Sequence, residues 1–232
     1  MSKHGKAYRE NKNGIEDRFH TVEEAFEILK GLKKPKFTES MDIAIRLNVD
    51  PKYPDQMVRG TIVLPHGTGK KKVVLVIATG EKQKEAEEAG ADFVGGEEMA
   101  EKIQKEGWTD FDVLVAAPDM MGKLGRLGKV LGPKGLMPSP KAGTVTFNIK
   151  EAVAEIKKGR IEYKVDKTGI INTSIGKASF EPVQLTENTK ELMSAIVKGR
   201  PASVKGKFVE SVFVSSTMSP SVKLDIQQFE KN

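Results

Sequence analysis

Cysteine is absent from the 232 residues of this chain. That excludes disulfides, thiol nucleophiles and thiolate metal sites, and it fits a reducing cytoplasm. Histidine is scarce: His4, His20 and His66 leave none inside either expected core to serve as a base. The longest apolar runs, such as Val73 to Ala78, are too short to cross a bilayer. The opening MSKHGKAYRENKNG is basic but lacks the apolar centre of a signal peptide, so it reads as a mobile arm. No G-x-S-x-G elbow is present. Gly67-Thr68-Gly69-Lys70 is similar to the end of a phosphate-binding loop, but Leu64 stands where its first glycine belongs. Lys71 also replaces the Ser or Thr that would hold magnesium. Neither a cofactor nor a metal site is expected, and catalysis is not expected; the alternative is a nucleotide-dependent enzyme built on the middle of the chain.

A different absence is local. Between Met120 and Lys150 there is no Asp or Glu, yet Lys123, Arg126, Lys129, Lys134, Lys141 and Lys150 are threaded with six glycines. Glycine permits close backbone approach and positive φ, and cations without carboxylates of their own suit a polyanion; the alternative is a solvated basic loop that pairs with acidic helices elsewhere in the chain. Residues 81–119 carry four lysines against twelve acids, so the middle of the chain is polarised in charge. Both chain ends have a basic excess, and the net charge is +6. Basic ends together with a basic loop suggest a nucleic-acid footprint shared between two regions.

Thr21-Val22-Glu23-Glu24 is a capping-box sequence, and Ala25, Phe26, Leu29 and Leu32 follow at helical spacing until Pro35. Met41 to Val49 alternates apolar and polar residues with the period of a half-buried strand, and Met57 to Leu64 predicts a second strand. From Val73 the pattern changes to short apolar strands (Val73 to Ala78, Asp92 to Val94, Val113 to Ala117) separated by helices (Glu81 to Ala89, Glu97 to Glu106). A further helix is predicted from Asn148 to Lys158. Strand and helix in alternation predict a parallel sheet covered on both faces. Beyond Gly159, strands Arg160 to Val165 and Ile170 to Ile175 flank a turn, a helix runs from Val183 to Lys198, and strands Phe208 to Val214 and Val222 to Ile226 close the chain. The expected architecture is α/β. Residues 1–67 and 160–232 form a discontinuous α+β domain with an antiparallel sheet, and residues 68–159 an inserted Rossmann-like three-layer α/β domain.

The run LGKVLGPKGLMPSPKAGTV at Leu127 to Val145 resembles the signature of the L-one family of large-subunit ribosomal proteins, bacterial type. KFTES at Lys36, DKTG at Asp166, IGKASF at Ile175 and STMSPSVKLD at Ser216 are similar to family segments in the same order, so the resemblance spans essentially the whole chain. It implies a protein of the mobile ribosomal stalk whose discontinuous domain binds large-subunit rRNA, that assists release of exit-site tRNA and that represses translation through its own mRNA leader. It further implies a cytoplasmic, ribosome-bound chain, monomeric outside the ribosome. Carried to matching positions, the RNA-binding residues are Lys36, Phe37, Thr38, Ser40, Asp166, Lys167, Thr168, Gly169, Ser211, Thr217 and Met218. Lys123, Arg126, Lys129, Lys134 and Lys141 are the expected secondary RNA or tRNA contacts. The family usually has glycine after Thr-Met, where this chain has Ser219, and histidine where this chain has Asn172.

Overall fold

In the computed structural model, which describes residues 5–230, the capping box at Thr21 forms as its sequence dictates. The Thr21 hydroxyl accepts from the Glu24 amide at 3.2 Å, and the Glu24 carboxylate accepts from the Thr21 amide at 3.2 Å. In chain order the elements are α1 (Lys6–Asn13), α2 (Val22–Gly31), β1 (Ser40–Leu47), β2 (Arg59–Val63), β3 (Val74–Ile77), α3 (Glu81–Glu88), β4 (Phe93–Gly95), α4 (Glu97–Glu106), β5 (Val113–Ala116), α5 (Met121–Leu124), α6 (Gly128–Leu131), α7 (Ile149–Lys158), β6 (Arg160–Lys164), β7 (Ile170–Lys177), α8 (Pro182–Lys198), β8 (Val209–Ser216), β9 (Val222–Lys223) and α9 (Gln227–Glu230). The fold is mixed α/β, with antiparallel and parallel sheets. The chain divides into two compact units: residues up to Lys70 with those from Ile161, and Lys71–Arg160.

The first unit is built on a four-stranded sheet ordered β7-β1-β8-β9, in which β1 runs antiparallel to both β7 and β8. Met41, Ile43, Ile45 and Leu47 point to one face, where they join Val22, Phe26 and Leu29 of α2 and Leu185, Leu192 and Ile196 of α8 in one buried cluster. The alternate residues of each strand are left on the opposite, outer face. A separate two-stranded sheet pairs β2 with β6.

In the second unit, β3 lies between β4 and β5 and is parallel to both. All four residues of β3 are buried, because each face is covered. Leu75 and Ile77 pack with Ile103, Leu124, Leu127 and Leu131; Val74 and Val76 pack with Ala86, Ile149, Val153 and Ile156.

Four sequence expectations need correction. The opening arm is helical over Lys6–Asn13, because Asn11 docks on a distant backbone: its amide donates to Lys33 O at 3.1 Å and its Oδ1 accepts from the Lys33 amide at 3.1 Å. The start of the basic run is no loop. Short helical turns fill 118–131 and bury Leu124, Leu127 and Leu131, spacings of three and then four residues suited to mixed 3₁₀ and α turns. The last strand ends at Lys223, and Asp225 accepts from the Gln227 amide at 3.0 Å to open α9. Finally, His20 is buried within the first unit, where its carbonyl accepts from Asp225 and its amide donates to Lys223 O.

Candidate nucleic-acid interface

At one end of the first unit's sheet, β1 begins where β8 ends. The Thr217 amide donates to Ser40 O at 3.1 Å, and the Thr217 hydroxyl accepts from the Ser40 amide at 3.1 Å. Ser40 in turn accepts at its hydroxyl from Lys177 Nζ at 2.8 Å. Beneath them lies Glu39, only 4% exposed, whose Oε1 accepts from the Met218 amide at 2.9 Å and from the Ser216 hydroxyl at 3.1 Å. With its backbone fixed from behind, Met218 is pushed outward and is 61% exposed. Phe37, in the segment leading into β1, is 54% exposed. Lys36 and Thr38 are exposed as well, and a cleft of about 250 Å³ runs along Lys36, Phe37, Thr38 and Ser179.

Ser219 fits without the glycine that the resemblance leads one to expect. Its amide donates to Ser216 O at 3.1 Å and its hydroxyl accepts from the Ser216 amide at 2.9 Å. Among the described residues, no non-glycine has positive φ. The turn is therefore closed by the side chain rather than by an unusual backbone.

The other expected residues lie at the opposite end. Asp166 Oδ1 accepts from the Thr168 hydroxyl at 2.6 Å and from the amides of Thr168 and Ile170 at 2.7 and 3.0 Å. The Thr168 hydroxyl and the Ile170 amide hold this carboxyl below its usual value of 3.8. Gly169 has φ +80°, and a Cβ there would stand 3.2 Å from Leu47 O, so the turn requires glycine where it meets the end of β1. Lys167 is exposed beside it and, among the described residues, forms no ion pair. Ser211 pairs with Arg46 near this same end, facing outward. From Ser40 to Arg46 the two clusters are about 20 Å apart along β1. The structure thus brings Lys36, Phe37, Thr38, Ser40, Thr217 and Met218 together, and Asp166, Lys167, Thr168, Gly169 and Ser211 into a second group.

The outer face connects the two groups. Its rows across the strands read Ser174, Asp42, Ser215; then Asn172, Ala44, Phe213, Lys223; then Ile170, Arg46, Ser211. Mostly small and polar, such side chains let a ligand approach the sheet closely and offer hydroxyl and amide groups to ribose and phosphate. Asn172 stands on this face, exposed, with a donor to offer.

The basic run of the second unit is partly neutralised. Lys123 pairs with Glu97 of α4 and Lys150 with Glu88 of α3, as the alternative of pairing with acidic helices expects, and Lys134 donates to the Thr109 hydroxyl. Arg126 lines a cleft with Glu97, Glu101 and Lys123. Among the described residues, Lys129 and Lys141 have no ion-pair partner. The glycines are also used differently than expected: only Gly135 and Gly143 of this run have positive φ. Gly67-Thr68-Gly69-Lys70 is followed by β3 and not by a helix, and a Cβ on Gly69 would meet the Phe180 ring at 2.9 Å. It packs within the first unit instead of opening toward a phosphate. Among the described residues, no group of three or more His, Cys, Asp or Glu could hold a metal ion.

The profile of the Ribosomal protein L1p/L10e family matches residues 29–220. The chain belongs to this family. A relative from Solibacter usitatus (strain Ellin6076), the large ribosomal subunit protein uL1, is 54% identical over 227 residues, covering 98% of this chain and 96% of the relative. The family match contains every site residue expected above, from Lys36 to Met218, and leaves out α1 and β9.

Sequence reasoning missed Glu39, Asp42, Lys177 and Lys223. A glutamate flanked by Thr and Ser looks solvated, and only strand register places Glu39 behind Met218. The strand period alone could have found Asp42, which alternates with the buried Met41 and Ile43.

Proposed function

We propose that this chain is a structural component of the large ribosomal subunit, bound to large-subunit rRNA in the cytoplasm and acting by binding, without catalysis of its own. The observation that carries this reading is the single polar sheet face with the Thr217 cluster at one end and the Asp166 turn at the other. A folded RNA suits it because hydroxyls and an exposed main chain match 2′-hydroxyls and phosphates, while Lys36 and Lys167 add salt-sensitive attraction. In this reading the discontinuous unit is the rRNA anchor at the base of the stalk, and an RNA fold of the chain's own mRNA leader competes for the same face to repress translation. The second unit, through Lys123, Arg126, Lys129, Lys134 and Lys141, touches RNA or exit-site tRNA more weakly and assists tRNA release. The protein works as a monomer outside the ribosome.

Filter binding of large-subunit rRNA transcripts by the full chain tests the reading. Saturable binding that Thr217→Val weakens supports it, and equal binding by the two proteins removes the Thr217 cluster from the interface.

A further inference from the structure

The outer face does not end at β8. Its middle row continues from Ala44 to Phe213 and from Phe213 to Lys223 on β9. Both are turned away from the core, because Val212, Val214, Val222 and Leu224 supply the buried neighbours. Past Lys223 the surface opens into a cleft of about 450 Å³ lined by Tyr8, Lys12, Arg18, Phe213, Ser221 and Lys223. The far wall of this cleft belongs to α1 and the segment that follows it.

The chemistry of that wall is consistent. Lys12 of α1 lines the cleft and is exposed, and the first turn of the helix carries no acid. Outside the lining but beside it, Phe19 is 55% exposed, with Lys223 Nζ of the cleft lying 4.1 Å from its ring centroid. The pair is fixed in place, since the neighbouring His20 amide donates to Lys223 O at 3.0 Å and the Asp225 amide donates to His20 O at 2.9 Å. Glu16 and Asp17 also line the cleft, but Glu16 is engaged with Arg18 Nε at 2.7 Å. Aromatic rings interleaved with cations along a groove are what a single nucleic-acid strand needs, the rings for bases or sugars and the cations for its backbone.

We propose that the cleft between α1 and β9 is a second RNA-binding subsite, which receives a strand continuing from the sheet face across Phe213, with Lys12 and Lys223 on successive phosphates and Phe19 and Tyr8 against sugar or base. The proposal rests on the sheet face being the RNA surface, and it adds residues that lie outside the family match. Since α1 and the 16–20 segment form one wall, this subsite also assigns a task to the N-terminal helix that its docking through Asn11 makes possible.

Salt-dependent filter binding of one large-subunit rRNA transcript to four full-length proteins tests it: the parent, Thr217→Val, Lys12→Ala/Lys223→Ala and Lys12→Arg/Lys223→Arg. Loss of two phosphate contacts makes the slope of log K against log salt shallower by about 1.4 to 1.8 in the alanine variant. The arginine variant keeps the parental slope, which separates lost charge from a disturbed fold. Thr217→Val weakens binding with its slope unchanged. A parental slope in the alanine variant, alongside weakened binding by Thr217→Val, overturns the subsite while leaving the sheet face intact. Failure of the parent itself to bind the transcript overturns the reading on which both rest.

Discussion

Glu39 Oε1 and the Met218 amide are 2.9 Å apart, and this contact from a buried carboxylate presents the Thr217-Met218 corner to solvent. The same oxygen holds the Ser216 hydroxyl, so one carboxylate fixes both sides of the corner. Glu39→Gln keeps an acceptor at this position and should bind rRNA nearly as tightly as the parent. Glu39→Ala leaves the Met218 N–H and the Ser216 hydroxyl without their partner and should cost about 1 to 2 kcal/mol of RNA affinity. Equal affinities for all three proteins in filter binding would remove Glu39 from the positioning role.

Thr217 is tied to Ser40 through both its amide and its hydroxyl. Thr217→Ser retains the hydroxyl and should behave as the parent. Thr217→Val leaves the Ser40 amide and any RNA partner unpaired, for an expected loss of about 1 to 3 kcal/mol in binding. Parental affinity in the valine variant would show that the hydroxyl does not meet RNA.

The Asp166 turn has a testable acid limit. Its carboxyl is held below 3.8 by the Thr168 hydroxyl and the Ile170 amide, so its contribution to the turn is complete above that pH. The contribution disappears as the pH falls through the lowered folded value. Nuclear magnetic resonance titration of the Asp166 carboxyl and the Thr168 and Ile170 amides should give a common midpoint below 3.8. A midpoint at or above that value contradicts the hydrogen-bonded turn.

Asn188 is fully buried and joins three segments of the first unit: its Oδ1 accepts from the His66 amide at 3.1 Å, and its Nδ2 donates to Gly67 O at 3.0 Å and Ile175 O at 2.8 Å. Asn188→Ala strands these backbone groups and should lower unfolding stability by about 3 kcal/mol. Chemical denaturation checks this, and a loss under about 1 kcal/mol would mean that water replaces the amide.

Elements whose signal is local were legible in the sequence. The Thr21 capping box gives α2, the alternation from Met41 gives β1, and the wholly apolar Val74–Ile77 gives a strand covered on both faces. What was illegible depends on distant partners. Nothing near Asn11 in the sequence announces that it docks on Lys33, so α1 looked like a free arm. In the basic run, the cations and glycines carry no helical signal, and the helical turns are marked only by the spacing of the buried Leu124, Leu127 and Leu131. The candidate site divides the same way. Thr217 and Gly169 were named through family segments, but that they occupy opposite ends of one face follows only from strand register.

The central claim is that one sheet face of the first unit receives RNA along its length. Hydrogen exchange of the full chain, with and without a large-subunit rRNA transcript, tests it most directly. The account predicts that RNA protects the amides of 36–42, 166–172 and 209–218 together. Protection confined to 120–145, or binding without protection at either end of β1, would contradict it.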